Sequence, residues 1–187
     1  LLFNYLLSMN GIELATLIEN RIKPDDIKST NTMTITNKKG RKKTLQLVTK
    51  SKDNNKRQMI WFLSPPDDKG MSFLKIEQSG GDEDDFMKMW LPGFKKFRRI
   101  ASSKKSNSFM GSDISFEDLT NRTISDYKYE ILETNKTEKW YQLESIPIEL
   151  ESEYSRHVTK ISEIEEGVFI AIEENSYDKE SHLLKTK

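Results

Sequence analysis

From residue 29 onward the hydrophobic pattern of this chain repeats every second residue, and no later stretch holds a helical repeat long enough to build a long helix. Met33 and Ile35 alternate with Thr32, Thr34 and Thr36, the turn residues Asn37-Lys38-Lys39-Gly40 follow, and Leu45 and Leu47 resume the alternation. Two such runs joined by turn chemistry read as a hairpin. Residues 57–63 are apolar at both parities, Met59, Trp61 and Leu63 against Ile60 and Phe62. Such a strand belongs in the middle of a sheet with both faces covered, by protein or by ligand. Further strands are predicted at 71–78, 86–91, 97–101, 127–133, 140–146, 154–161 and 168–174, separated by Gly, Pro, Asn and Asp clusters. Short strands in close succession pair with their neighbours antiparallel, because a parallel pair needs a long crossover. The fold class is α+β, dominated by an antiparallel sheet.

The helical part precedes the switch. Asn10 and Glu13 have the spacing of a capping box, Leu14, Leu17, Ile18 and Ile22 share a helical face, and Pro24 closes the run. A second capping box, at 115–118, can open one turn after Gly111. Leu1 to Leu7 are apolar and too short to span a bilayer; they read either as the end of a signal-peptide core, over residues 1–8, or as the start of a core-facing helix. A length of 187 residues forms one domain by default.

The chain holds 30 basic and 30 acidic residues, so no global field draws it to nucleic acid or anionic membranes, and only local patches can do so. Hydrophobic content of 35% beside 32% charged residues suits an open sheet with one solvated face. Cysteine is absent, which removes disulfide and thiolate chemistry. The histidines, His157 and His182, lie in no nucleophile, metal or phosphate motif, and Ser108 and Ser112 flank Gly111 without forming a nucleophile elbow. The run Asp82-Glu83-Asp84-Asp85 lacks calcium-loop spacing and reads as a solvated hairpin tip, as Asp67-Asp68 reads as a turn. No catalytic residue, metal ligand or cofactor site is expected.

One block is specific: Trp90-Leu91-Pro92, Lys95, Arg98-Arg99-Ile100, then Ser108-Phe109-Met110-Gly111-Ser112-Asp113 and Phe116-Glu117-Asp118-Leu119. Upstream of it stand Met33, Gly40-Arg41, Phe62, Pro65 or Pro66, Asp68, Gly70 and Phe73-Leu74; downstream stand Tyr127, Tyr141, Leu143, Pro147, Tyr154-Ser155 and Tyr177-Asp178 with Leu184-Lys185. In this order the residues resemble the LolA-like outer-membrane lipoprotein-sorting family, over roughly residues 30–187. The resemblance implies a strongly curved antiparallel β-sheet, an incomplete β-barrel, with helices covering the concave face. It also implies a periplasmic protein without enzymatic activity. Members of that family usually continue for several more strands, so C-terminal strands are expected beyond Lys187.

Seven Met, nine Phe, six Tyr and three Trp are an unusual resource in a hydrophilic chain. Met33, Ile35, Leu45, Leu47, Met59, Trp61, Met71, Phe73, Met89, Trp90, Phe97, Phe109 and Met110 lie on predicted strands or beside the turn, where each can serve as core. Flexible thioethers also adapt to acyl chains, and the resemblance turns the set into expected lipid-binding residues. Lys95, Lys96, Arg98, Arg99, Lys104 and Lys105, interleaved with Phe94 and Phe97, read as a solvated strand face or as a surface docking an acidic partner or phospholipid headgroups. A nucleic-acid surface is disfavoured by the net neutrality. The expected partners are a lipidated protein or lipid as cargo and a membrane-bound donor or acceptor protein, met by a monomer. Lipid delivery to a resistance–nodulation-type permease, an envelope sensor and a lipid-acting enzyme are the competing readings.

Overall fold

The computed structural model describes residues 9–78, 85–148 and 152–187. The signal-peptide reading of residues 1–8 and most of the acidic hairpin tip, 82–84, lie outside the described residues. The chain divides into two compact units, residues 23–121 and residues up to 22 joined with 122–187.

The first unit is a six-stranded antiparallel sheet in sequential order: β1 (Asp26–Thr36), β2 (Lys42–Lys52), β3 (Arg57–Ser64), β4 (Ser72–Ile76), β5 (Phe86–Leu91) and β6 (Lys96–Ile100). The hairpin expected at 37–40 joins β1 to β2, with Asn37 Oδ1 accepting from the backbone N–H groups of Lys39 and Arg41. Burial alternates with the pleat. Leu45, Leu47, Ile60, Phe62, Phe73, Met87, Met89 and Ile100 are buried on one face, and β3 sits centrally as expected. What covers this face is the irregular segment 101–121, which lays Phe109 and Phe116 on it. Phe109 packs at 5.5 Å and 69° to Phe73 and at 5.6 Å and 87° to Phe116, the edge-to-face geometry that aromatic quadrupoles favour.

The second unit holds a five-stranded antiparallel sheet, in order β11 (Leu183–Thr186), β10 (Val168–Tyr177), β9 (Arg156–Glu165), β8 (Trp140–Pro147) and β7 (Tyr127–Asn135). Sequence reading expected one sheet; the ladder is in two, neither closed, because 101–126 contributes only single 3₁₀ turns and an isolated bridge between Ser108 and Ser115. The β11 strand was not expected, since Leu183 and Leu184 are too short an apolar run to register as periodic.

Helix α1 (Gly11–Glu19) packs on the five-stranded sheet. Its capping box is present: Asn10 Oδ1 accepts from Glu13 N at 3.0 Å, and Glu13 Oε2 accepts from Asn10 N at 2.8 Å. The buried stripe is Gly11, Leu14 and Ala15, against Leu143, Ile161 and Phe169. This corrects the face read from sequence, for Leu17 is 45% exposed and Ile22 lies past the helix end. A Cβ on Gly11 would sit 2.7 Å from the Tyr129 carbonyl carbon and oxygen, so the helix start approaches β7 as only glycine allows. Among the described residues α1 is the sole α-helix, so the plural helices expected over the sheet are reduced to one helix and single 3₁₀ turns.

One buried charge cluster in this unit was not foreseen. His157 and Ser176, both fully buried, pair across β9 and β10 with Nδ1 2.9 Å from Oγ. Arg122 holds Glu174 with both terminal guanidinium nitrogens, and Thr159 hydroxyl donates to the same carboxylate. Burial alone would raise the Glu174 pKa, but the Arg122 hydrogen bonds and charge, helped by His157 and Lys187, hold it down to about 2. A folded pKa below the unfolded one means that the carboxylate stabilises the fold fully above pH 4.5, and this contribution is lost as pH falls toward 2. Acid titration should therefore remove about 3 kcal/mol of stability over that window. Amide exchange in β9 and β10 measures it, and Glu174→Gln should flatten the dependence.

Candidate functional site

The pocket that brings the sequence candidates together lies in the six-stranded unit, where segment 101–116 crosses the ends of β5 and β6. Its volume is about 290 Å³, with Met71, Met89, Leu91, Ile100, Met110 and Phe116 as apolar lining. Arg98 and Lys104 bring positive charge to it, and Asn107 and Ser108 add polar groups. Three methionines in one small cavity make a wall that adapts to a chain of variable shape, while guanidinium and ammonium groups at its edge suit an anionic or ester head.

The covering segment is fixed by its own turn chemistry. Met110 and Gly111 both occupy the left-handed region, at φ of 58° and 77°. Gly111 supplies that angle without strain, whereas Met110 adopts it against a steric cost. The side chain that closes the turn is Ser112. Ser112 Oγ donates to Phe109 O at 2.7 Å and accepts from Ile114 N at 3.2 Å, while Ser108 Oγ donates to Ser112 O. The second capping box is also present, with Ser115 N donating to Asp118 Oδ2 at 2.8 Å, and it opens the single turn Glu117–Leu119.

Lys75 ties the far end of the segment to the sheet. Fully buried beside Phe73, its ammonium donates to Glu77 Oε1 at 2.7 Å and to Leu119 O at 2.7 Å, and the same Glu77 oxygen accepts from Asn121 N at 2.7 Å. Burial pushes the Lys75 pKa down, and the hydrogen bond and charge of Glu77 push it back up. The signal was present in the sequence, because F-L-K-I-E puts Lys75 and Glu77 on the parity of Phe73.

The expected lipid-binding residues divide between the two faces of the sheet. Leu45, Leu47, Phe73, Met89 and Phe109 are buried in the covered core, with Met33, Ile35, Met71 and Met110 packed against it. By register, Met59, Trp61, Trp90 and Phe97 lie on the opposite face. The expected docking residues divide as well. Lys95 occupies a left-handed turn after Pro92–Phe94, Lys96 follows on β6, Arg98, Arg99 and Lys104 line the pocket, and Lys105 pairs with Asp85 at 2.7 Å. Among the described residues no group of three His, Cys, Asp or Glu side chains is placed to hold a metal ion.

A family model described as an uncharacterized protein matches residues 54–187. No curated protein matches the chain. Among solved structures, an outer membrane lipoprotein-sorting protein domain from Vibrio parahaemolyticus is 28% identical, with a TM-score of 0.82 over 94% of this chain and 75% of that one. A DUF1329 family protein from Desulfovibrio piger is 31% identical, with a TM-score of 0.79 over 92% of this chain and 74% of that one. A LolA superfamily protein from Nitrosomonas europaea, 17% identical with a TM-score of 0.66 over 92% of this chain and 74% of that one, shares the fold.

Proposed function

The chain belongs to the DUF1329 family and has the LolA-like fold, and from that premise we propose that it is a non-enzymatic periplasmic carrier of acyl chains. Its cargo is a lipidated protein or a lipid, received from a membrane-bound donor and passed to a membrane-bound acceptor toward the outer membrane. The observation that carries this reading is the cavity of about 290 Å³ in which Met71, Met89 and Met110 meet Arg98 and Lys104. Acyl burial yields about 0.8 kcal/mol per methylene, so even a chain end seated in the cavity gains useful affinity without any reacting group. The likeness to a lipoprotein-sorting domain supports the same reading.

The test is titration with a fluorescent fatty acid. Met110 is only partly buried and sits in a turn, so Met110→Glu leaves the core intact while placing a charge in the apolar wall. Displacing about two methylenes from the cavity should weaken binding about fifteenfold. Unchanged affinity in a folded Met110→Glu protein would remove the cavity from the proposal. Lipid that is extracted without turnover separates a carrier from a lipid-acting enzyme.

A further inference from the structure

The face of the six-stranded sheet opposite the Phe73 core carries no buried strand residue, yet it is rich in apolar groups. Register sets them in cross-strand rows: Val48, Trp61, Ser72, Trp90 and Phe97 form one, and Lys28, Lys50, Met59, Leu74, Lys88 and Arg99 form the next. Beyond them Lys52, Arg57, Ile76 and Phe86 are aligned. A hollow of about 630 Å³ opens among Lys28, Lys50, Met59, Leu74 and Ile76. At the described strand positions of this face the only acid is Asp26, against Lys28, Lys42, Lys50, Lys52, Arg57, Lys88 and Arg99, in a chain whose 30 basic and 30 acidic residues otherwise balance.

We propose that this face docks the protein onto the surface of an anionic phospholipid bilayer. Trp seats at the headgroup level of a membrane, Phe and Leu enter the boundary between headgroups and acyl chains, and Lys stems lie along apolar surface while their heads reach phosphate. Lys50 and Lys88 already take that posture, with ammonium groups 6.0 Å from the Trp61 ring centre and 4.7 Å from that of Phe86. Nucleic acid fits less well. The ring faces that bases would stack on are occupied by these amines and by the Trp90–Phe97 contact at 4.8 Å, and Leu74, Met59 and Ile76 offer no base-stacking surface. A second copy fits less well too, since a two-fold contact through this face would oppose its cations to themselves.

Cosedimentation with phosphatidylcholine vesicles, with and without phosphatidylglycerol, tests the proposal on the full chain. Binding should require phosphatidylglycerol and weaken with salt. Each lysine at an anionic surface contributes about fivefold, so Lys50→Gln with Lys88→Gln should weaken binding about 25-fold. Phe97→Ser, at a position 66% exposed, should weaken it further without unfolding the sheet. The matched pair Lys128→Gln and Lys136→Gln makes the same net-charge change on exposed positions of the other unit and should leave binding unchanged. The proposal fails if the Lys50/Lys88 variant binds like the parent, if the control pair loses as much, or if an oligonucleotide displaces the vesicles. Fatty-acid binding in solution is a separate readout, so this surface and the acyl cavity stand or fall independently.

Discussion

Phe109→Ala should destabilise the six-stranded unit by about 3–5 kcal/mol, a range typical of a large aromatic deleted from a packed core. Phe109 is 2% exposed and touches Phe62, Phe73 and Phe116 at ring separations of 6.0, 5.5 and 5.6 Å. It reaches them from segment 101–121, so the cavity its removal leaves cannot be filled by a shift of strands held in register. The loss should appear in a lower urea midpoint and in faster amide exchange across residues 101–121. Phe97→Ala provides the comparison, because Phe97 is 66% exposed on the opposite face. Its effect should stay within about 0.5 kcal/mol, as for other surface substitutions. Equal effects at the two positions would mean that the segment does not cover the core.

Glu77→Ala should cost about 3–5 kcal/mol, the penalty for leaving a buried charge without its partner. Lys75 is fully buried, and its ammonium keeps only the Leu119 carbonyl once Glu77 is gone. The Asn121 N–H loses its acceptor in the same step. The double variant Lys75→Met, Glu77→Leu removes both charges and should recover at least half of the loss, since apolar replacements of a buried pair are often near neutral. A double variant as unstable as Glu77→Ala would show that the hydrogen bonds to 119–121, rather than the stranded charge, set the cost.

Strand periodicity was readable wherever burial alternates with the pleat. Residues 57–63 announced a central strand because both parities are apolar, and that is where β3 lies. The same double parity hid the more useful fact that the two faces differ. Ile60 and Phe62 join the core under Phe109, whereas Met59 and Trp61 share their face with Lys50 and Lys88, which only the register of four strands brings beside them. The split of the ladder into two sheets was equally hidden, since it depends on 101–126 folding as turns rather than on the strands that flank it. Lys75 and Glu174 read as solvated in the sequence because a partner distant in sequence completes each site: Leu119 in one case, Arg122 in the other.

Retention of a natural ligand tests the carrier account most directly. Protein expressed in a bacterial envelope and purified without harsh detergent should, in native mass spectrometry, carry adducts that release acyl-bearing molecules on extraction. Met110→Glu should lose those adducts, while Lys50→Gln with Lys88→Gln should keep them, because the cavity and the cationic face are on opposite sides of the sheet. A parent protein that shows only its own mass and also refuses a fluorescent fatty acid in solution would contradict the account.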